Sequence, residues 1–141
     1  MTKKGFERLN SRENAIIAQV LKEMSQFVYE CCLNVVKAPI NNISLIPIVF
    51  DEIIKRYDPL PENSPAIIAI IYKLYAPYKL HLHRPRVPDG IRTAICQVMK
   101  WDDAPLVNYY NDIAMAYYKG ERWAGNIDRI AAEILTSLLN T

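Results

Sequence analysis

The densest collection of chemistry-bearing side chains lies between Tyr72 and Arg92, in the stretch YKLYAPYKLHLHRPRVPDGIR. Tyr72, Tyr75 and Tyr78 are interleaved there with Lys73, Lys79, Arg84, Arg86 and Arg92, and only Asp89 opposes the positive charge. Rings alternating with cations can stack nucleobases while meeting phosphates, so the stretch points to RNA or another nucleic acid. The same composition also suits a solvated basic loop closing over a core helix. His81 and His83 raise a separate question. In an extended segment, residues two apart share one side, as a pair of metal ligands would. A zinc site needs two more protein ligands, or one and an open water position. The chain has no third histidine, and Cys31, Cys32 and Cys96 fall on distant helical stretches. No metal site is expected, and both histidines are read as surface or partner-binding groups.

Nothing in the sequence organises a catalytic centre. There is no Gly-x-Ser-x-Gly elbow, Walker loop or Gly-rich dinucleotide turn, and four glycines could hardly build one. Asp102 and Asp103 stand just ahead of Pro105, where their charge suits a helix start better than acid–base work. The expectation is a protein that is not an enzyme and needs no cofactor. Arg122 and Trp123 complete the candidate binding residues. Trp123 is read as lying in a turn between two helices, either as a plug between them or as an anchor for a partner protein. Tyr109, Tyr110, Tyr117 and Tyr118 recur at helical spacing and are read as core residues with a wet hydroxyl edge.

The elements that must position these groups are helical. Ile16, Ile17, Val20, Leu21, Met24, Phe27, Val28, Cys31, Val35 and Val36 repeat at helical spacing. They predict one long amphipathic helix, capped by Ser11 and ended at Ala38 by Pro39. Pro47 suits the first turn of a second helix carrying Ile46, Val49, Phe50, Ile53, Ile54 and Tyr57. Ser64-Pro65 opens a third piece, in which Ile67 to Ile71 is a continuous apolar run that periodicity assigns equally to helix or buried strand. Asp89 is placed to cap a helix over Ile91–Met99. After a break and restart at Asp102-Asp103-Ala104-Pro105, Leu106, Val107, Tyr109, Tyr110, Ile113, Ala114, Tyr117 and Tyr118 share one face of another helix. Gly120 is its terminator, and Asn126 is placed to cap the last. The sum is a mainly α, single domain over 1–141, of five or six helices with room for one short strand or hairpin. Residues 1–10 read as a basic, flexible tail.

Composition bounds the partners. The apolar share of 51% and charged share of 23% are those of an ordinary globular protein. No apolar run approaches the roughly 18 residues of a membrane span. The polar N-terminus lacks the apolar stretch of a signal peptide, so a cytoplasmic protein without membrane contact is expected. Three cysteines, an odd number, make no disulfide framework, and of the adjacent pair Cys31 and Cys32 one thiol is expected to be buried. The net charge of +2 does not by itself announce nucleic-acid binding, and its distribution matters more.

Over roughly residues 50–130 the order of features resembles the FinO/ProQ family of bacterial RNA chaperones. Ile54-Lys55-Arg56-Tyr57-Asp58-Pro59 is similar to the family's helix end, which runs into an aromatic and then a proline. Pro65-Ala66-Ile67-Ile68-Ala69-Ile70 is similar to its Pro-Leu-Lys-Ile-Gly-Ile segment, although Ile67 stands where the family has lysine. Ile91-Arg92-Thr93-Ala94-Ile95 is similar to its Leu-Arg-x-Ala-Leu helix, and Gly120-Glu121-Arg122 to its Gly-x-x-Arg turn, with the arginine one place early. The family's Tyr-Thr-x-Ser stretch is missing, and the chain between Arg92 and Gly120 is longer. The resemblance implies a strand at Ile67–Ile71. It also implies binding of structured RNA through a concave basic face holding Lys79, Arg84, Arg86 and Arg92. The reading that stands against it is a protein-interaction module, such as a phage- or plasmid-type inhibitor or adaptor, which would use Trp123 and the tyrosine-rich loop against a protein partner.

Overall fold

The computed structural model describes residues 10–82, 86–102 and 104–140, with the backbone alone at 104 and 121–124. Among the described residues it is mainly α, with seven α-helices, three short 3-10 segments and no strand. Two compact units divide the chain, Met1–Val35 and Val36–Thr141, where the sequence reads as one domain.

The first unit explains the extra helix. The long apolar periodicity is broken at Ser25, whose extended backbone separates α1 (Ser11–Met24) from α2 (Gln26–Val36). Serine competes for backbone partners at such a position, and here its Oγ accepts from the Val28 N–H at 3.3 Å. Asn10, rather than Ser11, is the N-cap of α1. Its side chain accepts from the Glu13 N–H while Glu13 accepts from the Asn10 N–H, a reciprocal capping box. Neither helix has a buried residue, and Cys31 and Cys32 are both exposed, against the expectation of one buried thiol. The residues before Asn10 lie outside the described residues.

The second unit is built around α4 (Ser64–Tyr75). Every one of its residues except Lys73 is buried. A helix apolar on all sides needs neighbours on all sides, and α4 packs against α3 (Ile46–Ile54), α6 (Ala104–Lys119) and α7 (Glu121–Leu139). The ambiguous run Ile67–Ile71 is therefore helix, and the strand implied by the family resemblance does not form. Enclosure outweighs the modest helix penalty of β-branched residues, since each fully buried isoleucine contributes about 1.5–3 kcal/mol of transfer free energy. Pro65 opens the helix in its first turn, and Pro77 follows its end at Ala76.

The remaining helix, α5 (Ile91–Met99), packs on α3 and α6. Its N-cap is Gly90 in the left-handed region at φ 91°, so Asp89 is not the cap the sequence suggests. At its other end Lys100 takes a left-handed conformation at φ 59°. The Trp101 N–H donates to the Cys96 carbonyl at 2.9 Å and the Lys100 N–H to the Gln97 carbonyl at 3.3 Å, a Schellman-type close. Helix α7 begins at Glu121, so Trp123 lies in its first turn and not between helices. Asn126 is inside α7, where its amide donates to the Tyr57 hydroxyl and its Oδ1 accepts from Arg129 at 2.7 Å.

Candidate nucleic-acid interface

The second unit carries an open cleft of about 620 Å³. Five pieces of chain line it. The 3-10 segment Pro77–Leu80 supplies Lys79, the following loop supplies Arg86 and Asp89, and α5 supplies Arg92 and Cys96 on the same face, four residues apart. The lining continues with Trp101, Asp102 and, three residues apart on α6, Asn108 and Asn111.

Local bonds hold these groups in place. The Tyr78 hydroxyl donates to the Arg86 carbonyl at 2.6 Å, tying the loop to the 3-10 segment. The Tyr72 hydroxyl donates to Asn111 Oδ1 from beneath, which orients that amide at the cleft wall. Trp101 stacks on Tyr110 with ring centroids 5.1 Å apart and planes 15° from parallel, and Tyr109 meets Tyr110 edge-on. The indole is thus braced by an aromatic neighbour and still only half-buried.

The electrostatics are mixed, with three cations, Lys79, Arg86 and Arg92, against two carboxylates, Asp89 and Asp102. Burial pulls the Lys79 ammonium below its ordinary pKa, partly offset by Asp112. Such a cleft attracts anions moderately and also offers carboxylate acceptors to a ligand carrying N–H donors.

The structure sorts the candidate residues. Lys79, Arg86 and Arg92 come together in the cleft, and Tyr78 braces it. Tyr72 and Tyr75 are core residues, 0% and 3% exposed, so neither ring is open to base stacking. Burial raises both phenols, Tyr75 to about 12. Helical periodicity put these tyrosines beside the basic run in sequence, but α4 turns them into the core.

Lys73 is committed elsewhere in this unit. Its ammonium lies 3.2 Å from the Tyr118 hydroxyl, to which it donates, and 3.2 Å from Asp128 Oδ1. Tyr118 in turn donates to the same carboxylate at 2.9 Å. Burial acts to lower the Lys73 pKa, but Tyr118 and Asp128 together outweigh it and the net shift is upward. His81 is exposed, meets Tyr118 edge-on at 5.5 Å and is not among the residues that line the cleft. Desolvation, then the charges of Lys73 and Lys119, lower its pKa, with Asp128 opposing. His83 and Arg84 lie outside the described residues, as do the side chains of Arg122 and Trp123.

Sequence reasoning missed Trp101, Tyr110, Asn108 and Asn111. One signal was available, the Lys100-Trp101 pair at the end of a predicted helix and next to the Asp102 break. The asparagines gave none, since their relevance depends on how α6 faces α5. Among the described residues no group of three or more His, Cys, Asp or Glu side chains is arranged to hold a metal ion. No helix is long and apolar enough to cross a membrane, within the described residues. No protein family, curated protein or solved structure matches the chain.

Proposed function

We propose that this chain is a non-catalytic nucleic-acid-binding protein, with RNA as its ligand, and that the cleft between α5, α6 and the loop before α5 is its contact surface. One observation carries the reading. Lys79, Arg86 and Arg92, spread over fourteen positions of sequence, converge on one concave surface that also presents a half-buried tryptophan. Cations set around an aromatic ring match the two chemical faces of a nucleotide, its phosphate and its base. The reading does not rest on the FinO/ProQ resemblance, since helix α4 occupies the place of the strand that the resemblance implies.

The test is a fluorescence-anisotropy titration with an RNA hairpin and a matched DNA duplex, at about 50 and 200 mM salt. Three phosphate contacts weaken binding by about 20- to 40-fold over that range. The double variant Arg86→Ala, Arg92→Ala should lose most of that salt dependence while its circular-dichroism spectrum shows that it is folded. Absence of binding to both ligands at low salt refutes the reading.

A protein-interaction module is the second reading, and the first unit favours it. Met24 and Phe27 are 80% and 75% exposed, with Ile16, Ile17, Val20 and Val28 also accessible. Apolar exposure of that extent is characteristic of surfaces that meet another protein. Sedimentation of the parent and of a Met24→Glu, Phe27→Glu variant separates self-association, which the variant abolishes, from a monomer in both.

A further inference from the structure

We infer that the cleft is a subsite for one unpaired nucleotide, its base lying on Trp101 and its phosphate held by Lys79, Arg86 and Arg92. The inference rests on the nucleic-acid reading above and deepens it from a charged surface to a recognition site.

Three features of the cleft favour a single extruded nucleotide over a continuous backbone. The first is its charge. A groove that only tracked phosphates would gain nothing from Asp89 and Asp102, both of which line this one. Carboxylates there repel a phosphate but accept hydrogen bonds from the N–H groups on a base edge. The second is Trp101. Its stacking on Tyr110 fixes the indole plane, and a pre-fixed ring loses little conformational freedom when a base lies on it. A base can reach an indole set in a cleft only when it is out of its own helix, which selects unpaired positions.

The third feature is the pair of amides on α6. Asn111 Oδ1 is engaged by the Tyr72 hydroxyl, so the amide nitrogen is the end left for a ligand, and Asn108 stands one helical turn earlier on the same wall. Amide donors reach phosphate oxygens as well as base edges, but the carboxylate acceptors beside them have a use only against the N–H groups of a base edge, and the two together can read one. Lys100 adds a structural sign. A non-glycine residue in the left-handed region is held there against its preference, and it is the residue that delivers Trp101 to the cleft.

The experiment compares a labelled blunt RNA duplex with the same duplex carrying one bulged guanosine, by anisotropy at low salt. The bulge should tighten binding about ten- to a hundredfold, the range expected for stacking one base. Trp101→Ala should erase that gain, and its circular-dichroism spectrum reports that the variant is folded. Trp101→Phe should restore part of it. Equal affinity of the parent for the two duplexes, or an undiminished gain in Trp101→Ala, overturns the subsite and leaves the broader RNA reading in place. A further arm titrates guanosine monophosphate against the intrinsic tryptophan fluorescence of the parent and of Trp101→Phe. A quench seen only in the parent, with neither duplex bound, keeps the subsite for a free nucleotide and removes the RNA reading. No quench and no duplex binding removes both.

Discussion

A substitution at Lys73 distinguishes a nucleic-acid contact from an ion pair within the second unit. The Lys73 ammonium is 3.2 Å from Asp128 Oδ1, with the lysine side chain 28% exposed and the aspartate 45%. At that separation two unit charges attract by about 5 kcal/mol at an effective dielectric of 20 and by about 1.3 in water. Asp128 is nearly half in solvent, so screening takes the value towards the lower limit, and surface pairs yield about 1 kcal/mol or less. The partly buried lysine and the shared Tyr118 hydroxyl raise it somewhat. A coupling of about 1–2 kcal/mol is expected in a double-mutant cycle of Lys73→Met and Asp128→Asn. For a domain near a hundred residues, 1 kcal/mol moves the melting temperature by roughly 4–8 °C. Asp128→Asn, which leaves the ammonium without a counter-charge, should therefore lower the circular-dichroism melting midpoint by about that much, and less at high salt. RNA affinity should be unchanged in both single variants. A Lys73→Met protein that melts like the parent but loses RNA affinity would refute the reasoning, because it would put this lysine on the ligand and not on Asp128.

Four further outcomes are expected. Ile70→Ala, at a fully buried position of α4, should cost about 2–5 kcal/mol and shift the denaturant midpoint downward without changing its slope, since it opens a cavity among α3, α6 and α7. Gly90→Ala should destabilise by at least about 1 kcal/mol in the same assay, because φ is +91° and the new Cβ would stand 3.3 Å from Ile43 Cδ1; Lys100→Gly, which relieves a left-handed lysine, should stabilise by a few tenths to about 1 kcal/mol. For His81 the folded-state pKa lies below its ordinary 6.5, so the unfolded chain takes up the proton first and stability falls as the pH drops through that value towards the folded pKa. Melting curves of His81→Asn between about pH 7.5 and 5 should fall less steeply than those of the parent, and equal slopes would show that His81 is not desolvated against Tyr118.

Several features were settled by sequence alone, and each has a local cause. Helices α3 and α4 begin where a proline can occupy the first turn, at Pro47 and Pro65, and α4 stops before Pro77 because a proline there cannot donate to the preceding turn. The mainly α class followed from apolar spacing, which is a property of neighbouring residues. The concentration of cations between Lys79 and Arg92 was equally plain, and three of them do share a cleft. What tertiary structure decided depends on partners far away in the chain. Whether Ile67–Ile71 became strand or helix turned on the presence of α3, α6 and α7 around it. The break at Ser25 depended on one hydroxyl capping a helix, within a periodicity that runs on undisturbed through it. Tyr72 and Lys73, adjacent in sequence, went to the core and to an ion pair because successive helical residues point about 100° apart. Trp101 and the asparagines of α6 entered the cleft only through the angle at which α5 meets α6, and no residue near them in sequence encodes that angle.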